Sequence, residues 1–280
     1  MAVRIVTDSS CDLTDEQTSA LGIEVVPLSI RFGDEEFTDG VDLTVDQFYE
    51  RLATAADLPE TAAPAPGKFE EAFRRAVELG ADEIVCINIS SDLSATMQSA
   101  QNAARALEGT ATVHVIDSRS ITMGLGSQVV AAAEAAREGK GGADIAAMVQ
   151  AMVARTHVFG ALDTLENLRK GGRIGGAQAL LGNLLSIKPI LDISTGRVEE
   201  AGKARTRKKA LQTLAEHALA LPTVERLCVC HGNAPDLDEF LDLLAARYPR
   251  DTIPVAKIGP VIGTHGGPRV MGVTWLDPAT

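Results

Sequence analysis

Aromatic side chains are scarce, at 4% of 280 residues with a single tryptophan, which leaves little from which to build a stacking platform for single-stranded nucleic acid. Cations are also in deficit: 26 lysines and arginines stand against 38 aspartates and glutamates, a formal net charge of −12. A field of that sign repels polyphosphates and anionic bilayers, so no nucleic-acid partner is expected, although one local basic patch is not excluded. No run of about 18 apolar residues occurs, so no membrane span is expected, and transient membrane contact stays open. The chain opens on a short apolar run without a basic leader, so a secretory signal is not expected and a cytoplasmic location is. Cysteine is limited to Cys11, Cys86, Cys228 and Cys230. Cys228 and Cys230 lie in Cys-Val-Cys-His, but no second Cys/His cluster completes four ligands. Buried free thiols are expected, and no metal.

Hydrophobic residues nevertheless make up 45% of the chain, enough for a sizeable core of Ala, Leu, Val and Ile. The first half repeats an apolar run, a polar turn and a helix. Strands are expected at 3–7, 23–32, 84–89 and 112–116, with a polar turn at 37–42. Thr14 with Gln17 and Thr44 with Gln47 read as capping boxes. Pro66 suits the first turn of a helix that ends near Gly80. This alternation implies a mostly parallel sheet covered by helices. Ala-rich helices are expected over 127–138 and 143–155, the second as a connector between domains at 1–155 and 156–280. Beyond it come a strand at 157–162, a hairpin of 187–193 and 197–203, helices at 205–221 and 236–247, and strands near 227–231, 253–258 and 270–275.

Candidate chemistry sits in three places. Residues 165–176 set Arg169, Lys170 and Arg173 among glycines. Glycine allows close backbone approach and arginine offers a planar fork to an anion, while a plain helix end and loop would explain the same residues. In a parallel sheet, ligands collect beyond the carboxyl ends of strands. Asp8-Ser9-Ser10, the turn of Ser90, Ser91 and Ser94, and Asp117-Ser118 all fall there, as anion-binding turns or as ordinary N-caps. Residues 262–268 read as a flexible loop carrying His265, where packing gives a histidine no role. No Gly-x-Ser-x-Gly elbow, Walker A loop or Gly-x-Gly-x-x-Gly turn after the first strand is found.

Six segments together resemble the DegV family, the FakB-type bacterial fatty-acid-binding proteins, nearly end to end. They are Val6-Thr7-Asp8-Ser9, Thr61 to Pro64, Ile89 to Thr96, Val115-Ile116-Asp117-Ser118, residues 165–176 with 184–189, and Gly263-Thr264-His265-Gly266-Gly267-Pro268. The resemblance implies an α/β protein with an N-terminal three-layer α/β domain and a C-terminal two-layer α/β domain. It implies one long-chain fatty acid held between them, as ligand and not cofactor. The family's carboxylate-binding hydroxyls map onto Thr61 and Ser94, its loop arginine onto Arg173 and its loop histidine onto His265. Ala62, Ala63, Ser91, Ser118 and Gly266 are expected to line the same site. Similar proteins present the acid to a separate ATP-dependent kinase of the FakA type, which makes the acyl phosphate on a route into phospholipid metabolism. On that reading the chain has no catalytic residues and is a substrate carrier. The sequence departs from the family where Ala62 and Ala63 replace a common Ser-Gln pair, Ala95 replaces a glycine, and Arg269 stands at a common glycine.

Burying about 15 methylenes at about 0.8 kcal/mol each sets an upper limit near 12 kcal/mol for the tail. Hydrogen bonds to the carboxylate largely offset its desolvation, so the tail sets affinity and the hydroxyls set orientation. Apolar residues of 177–185 and 187–191 are candidate tail contacts. The cations at Lys203, Arg205, Arg207, Lys208 and Lys209 offer either a docking patch for the kinase or a solvated helix start. The competing function is an enzyme acting on a small phosphorylated metabolite through the serine turns with Arg173 and His265.

Overall fold

The structure, a computed structural model, describes residues 2–183 and 187–279. Strands β1 (Val3–Asp8), β2 (Ile23–Val26), β6 (Glu83–Asn88) and β7 (Thr112–Asp117) form a parallel sheet in the order β2-β1-β6-β7. Helix α1 (Asp15–Leu21) links β1 to β2, capped by Thr14 and Gln17 as a capping box. Helices α3 (Pro66–Glu78) and α4 (Thr96–Ala106) cover one face, where Phe69, Phe73 and Ala100 pack on Val6, Ile84 and Cys86. Helices α5 (Thr122–Arg137) and α6 (Gly142–Val153) cover the other, with Leu125, Val129, Ile145 and Val149 on Ile5, Val85 and Ile87. The result is three layers. α6, expected as a connector, is therefore part of the helical cover of the first sheet.

The expected strand at 23–32 breaks at Pro27, which has no N–H for a ladder bond. After it the chain enters a small antiparallel sheet of β3 (Ser29–Phe32), β4 (Glu35–Thr38) and β5 (Glu60–Ala62), ordered β4-β3-β5. Part of the expected polar turn at 37–42 is thus strand. Helix α2 (Val45–Thr54), boxed by Thr44 and Gln47, lays Phe48 and Tyr49 on this sheet.

The chain passes to its second large sheet at β8 (Thr156–Ala161), followed by α7 (Glu166–Lys170). The expected hairpin is β9 (Lys188–Asp192) with β10 (Glu199–Ala204). Then come α8 (Arg207–Leu219), β11 (Glu225–His231), α9 (Leu237–Leu244), β12 (Val255–Lys257), α10 (Pro260–Gly266) and β13 (Met271–Leu276). The order is β10-β9-β8-β13-β11-β12, antiparallel except for β11 with β12. α8 and α9 cover one face through Leu214, Phe240 and Leu244. The other face turns toward the parallel sheet. α5 lies between the two and is apolar nearly all round, which is how a helix with neighbours on every side reads. A Cβ on Gly124 would sit 2.5 Å from Val158, so its Ala/Gly composition permits the close approach.

α10 corrects the expectation of a flexible loop at 262–268. It starts at Pro260, packs Val261 on Phe48, and is tied to the first half where the Tyr49 hydroxyl donates to the Ile258 carbonyl at 3.0 Å. His265 therefore comes from a helix, with a defined direction.

Candidate functional site

The carboxyl ends of β1, β6 and β7 do bring the serine turns to one edge, but most of their hydroxyls are engaged inside the protein. Leu28 N–H donates to Ser9 at 3.1 Å, Ser90 donates to the Gly196 carbonyl at 2.6 Å, and Ser91 donates to Asp117 at 2.5 Å. Ser118 donates to the Ser120 carbonyl at 3.3 Å. Ser91 and Ser118, expected as lining residues, lie outside the cavity described next; their hydroxyls satisfy local turn geometry instead. Ser94 differs in lining the cavity, although its hydroxyl too is bonded locally, to Thr96.

A cavity of about 190 Å³ lies between the end of the parallel sheet and the inner face of the six-stranded sheet. Its wall is mostly aliphatic: Ile89, Leu93 and Ile121 from the first half, Leu162, Leu191 and Ile193 from the second. Ala62, Ala63 and Gly266 line it. Five polar side chains reach it: Thr61, Ser94, Thr122, Arg173 and His265. Thr122 is held at φ 45°, a strained setting for a β-branched residue. The other four are the predicted site residues, and they gather at the glycine-rich loop.

Each is placed by a different element. Thr61 lies on β5, fixed by pairing with Ile30. Ser94 precedes α4, where its Oγ accepts the Thr96 N–H at 3.3 Å and lies 2.8 Å from the Thr96 hydroxyl. Arg173 turns back onto its own loop, donating from Nη1 to the Gly171 carbonyl at 2.8 Å and from Nε to the Leu93 carbonyl at 3.3 Å. His265 Nε2 lies 3.1 Å from Thr61 Oγ1. Gly171 explains why the loop is glycine there: a Cβ would sit 2.4 Å from His265 Nδ1. Lys170 pairs with Glu166 and does not reach the cavity, so of the three loop cations Arg173 alone faces it.

No Asp, Glu or Lys lines the cavity among the described residues, and the N-terminus of α4 adds its positive end beside Ser94. The polar end therefore suits an anionic oxygen and the remainder suits hydrocarbon. Burial, and then the charge of Arg173, hold His265 down at about 4, so its imidazole is neutral at pH 7. NMR of the ring should show a midpoint near 4 in the unliganded protein. The folded state then binds fewer protons than the unfolded chain between about 6.5 and about 4, and stability from this residue is lost as pH falls through that window. Asp39, raised by burial to about 6, acts in the opposite sense as pH falls from there toward 3.8, so the overall acid curve is flattened.

The floor was not legible in the sequence. Gly160 on β8 and Gly272 on β13 are register partners and both line the cavity. A Cβ built on them meets nothing closer than 3.7 Å and 3.4 Å respectively, so the floor is bare where two side chains would otherwise stand. The available signal was glycine inside a strand, which marks close approach by a ligand or another backbone. Of the expected tail contacts, Leu191 lines the cavity, while Leu180 is buried in the adjoining core. Leu184 and Leu185 lie outside the described residues. Within the cationic stretch, Arg207 is taken up by a double ion pair with Asp236 at 2.8 and 2.9 Å, leaving Lys203, Arg205, Lys208 and Lys209 exposed. All four cysteines are free and buried. Among the described residues no cluster of His, Cys, Asp and Glu is able to hold a metal, and no helix is long and apolar enough to cross a membrane.

A family model described as "Uncharacterised protein, DegV family" matches residues 2–277. A DegV domain-containing protein of Deinococcus radiodurans is 38% identical, with 99% of each chain covered. Among solved structures, a DegV family protein from Thermus thermophilus, described as fatty acid binding, superimposes with a TM-score of 0.91 at 33% identity, covering 99% of this chain and all of that one. A stearic acid-binding protein from Eubacterium ventriosum gives a TM-score of 0.88 at 27% identity, covering 98% of each chain.

Proposed function

The chain belongs to the DegV family, and from that premise we propose that it binds one long-chain fatty acid between two domains, residues 1–155 and 156–280. The observation that carries this reading is the cavity's polarity: an aliphatic chamber with a glycine floor, whose polar end holds two hydroxyls, a neutral imidazole and one guanidinium. Neutral His265 donates from Nε2 to Thr61, which frees the Thr61 O–H to donate to a carboxylate oxygen. Ser94 donates to the same group, and Arg173 stands half-buried at the mouth of the site. A carboxylate arriving there offsets the charge of Arg173, so the His265 midpoint rises above about 4 on loading. Solvent extraction of the purified protein followed by gas chromatography should yield one fatty acid per chain; an extract free of fatty acid contradicts the reading.

The partner is a FakA-type kinase in the cytoplasm that phosphorylates the presented carboxylate. Arg173 is a half-buried residue of an exposed loop, which supports a role at the mouth between head group and incoming protein. Arg173→Ala should retain bound acid within a few-fold while lowering acyl-phosphate formation by about 100-fold, equivalent to about 2.7 kcal/mol. Equal losses in binding and turnover would contradict this division. An enzyme of small phosphorylated metabolites finds less support, because the serine hydroxyls it needs are engaged within the protein.

A further inference from the structure

His265 Nε2 faces Thr61, but its Nδ1 is buried with no hydrogen-bond partner among the described residues. A functional imidazole is commonly oriented by a hydrogen bond to its other nitrogen, so a different device holds this ring. His265 also stands in the last turn of α10, a helix of seven residues whose final carbonyls have no partner within it. Such an end frays unless something outside the helix ties it down.

The tie comes from α7. Half-buried Asn167 donates from Nδ2 to the Thr264 carbonyl at 3.1 Å, one residue before His265. Only the NH₂ of the amide can meet a carbonyl, so the direction of this contact is fixed. Gly267 leaves room for it, since a Cβ there would sit 3.1 Å from Asn167 Nδ2. The main chain of Asn167 serves the other side of the ring. Its carbonyl accepts the Gly171 N–H at 2.8 Å, and Gly171 is the glycine whose missing side chain makes space for His265. The Gly171 carbonyl in turn accepts from Arg173 Nη1 at 2.8 Å. Asn167 thus joins the turn that carries His265 to the loop that carries Arg173, and it does not itself line the cavity.

We propose that Asn167 is a positioning residue of the head-group end: by capping α10 from α7 it sets His265 Nε2 on Thr61, and through Thr61 it sets the grip on an anionic oxygen. With the ring held as donor, the Thr61 O–H is left to point at a carboxylate. A ring free to turn no longer enforces that direction. The ligand in this inference rests on the fatty-acid reading, whereas the seating of the ring does not.

The test uses Asn167→Leu in the full-length protein, which keeps most of the bulk and removes the donor. A ring released from its seat is better hydrated, so in the unliganded protein its NMR midpoint should rise by about one pH unit from about 4 toward the ordinary 6.5. Asn167→Ala must move it in the same direction should the leucine fit poorly. An unmoved midpoint in both variants overturns the proposal, whether or not the protein binds a fatty acid. With ligand, the preference for a fatty acid over its methyl ester should fall about tenfold while affinity for the ester holds, which also shows that the cavity is intact. In a His265→Ala background the same substitution should change that preference by less than about twofold, because its effect passes through the ring. Equal weakening of acid and ester, or a full additive loss in the His265→Ala background, would overturn the positioning role. A wild type that takes up neither ligand contradicts the fatty-acid reading instead, and the unliganded midpoint then decides the seating of the ring.

Discussion

Gly272→Leu yields a folded protein that binds fatty acid about 100-fold more weakly. The residue lies on β13 with φ outside the left-handed region, so an L side chain meets no backbone strain. A Cβ there makes ordinary contacts, 3.4 Å from the Phe159 carbonyl oxygen and 3.6 Å from Cys230. The rest of the leucine then occupies space proposed for the tail. Displacing about four methylenes costs about 3 kcal/mol, or roughly 100-fold in affinity, and Gly160→Leu on the neighbouring strand should act alike. With both replaced, the floor is filled from two sides and binding should fall below detection. A thermal melt separates this from unfolding: replacing a strand glycine removes a flexible residue, so the midpoint should hold or rise. A Gly272→Leu protein that still carries one acid per chain would place the tail elsewhere.

Thr61→Val removes one oxygen from the head-group end and little volume. It takes away a donor to the carboxylate and the partner of His265 Nε2, 3.1 Å away. A hydrogen bond to a charged group contributes about 1.5–3 kcal/mol, so acid binding should weaken roughly 10- to 100-fold. Ser94→Ala should cost a similar amount, and the double variant less than the sum, because both hydroxyls serve one carboxylate. Competition against a fluorescent acyl probe checks the origin of the loss. The wild type should prefer a fatty acid to its methyl ester, and Thr61→Val should erase most of that preference. An unchanged preference would remove Thr61 from the site.

Local chemistry was the legible part of this fold. Thr14 with Gln17, Thr44 with Gln47, and Pro66 mark helix starts because capping depends on residues three positions apart, and all three are found. Tertiary partners were less legible. Pro27 diverts an apolar run into a separate sheet, and α6 packs on the first sheet, since a long apolar face does not say which surface will cover it. The same limit applied to His265. Its glycine-rich neighbourhood read as loop, yet Pro260 starts a helix there and Gly171, far away in sequence, leaves the space into which the ring fits. Ser91 and Ser118 carry the right chemistry in the right turns, and only tertiary structure tells a hydroxyl bonded within its turn from one facing a cavity. Gly160 and Gly272 are not legible in sequence because their meaning lies in their register, which joins two strands more than 100 residues apart.

A crystal structure of the protein loaded with a saturated long-chain acid is the most direct test of a fatty acid held between the two sheets. The expected density has a carboxylate within hydrogen-bonding distance of Thr61 Oγ1 and Ser94 Oγ, and a tail crossing Gly160 and Gly272. A cavity filled only by water, or an acid whose carboxylate lies away from both hydroxyls, would contradict it.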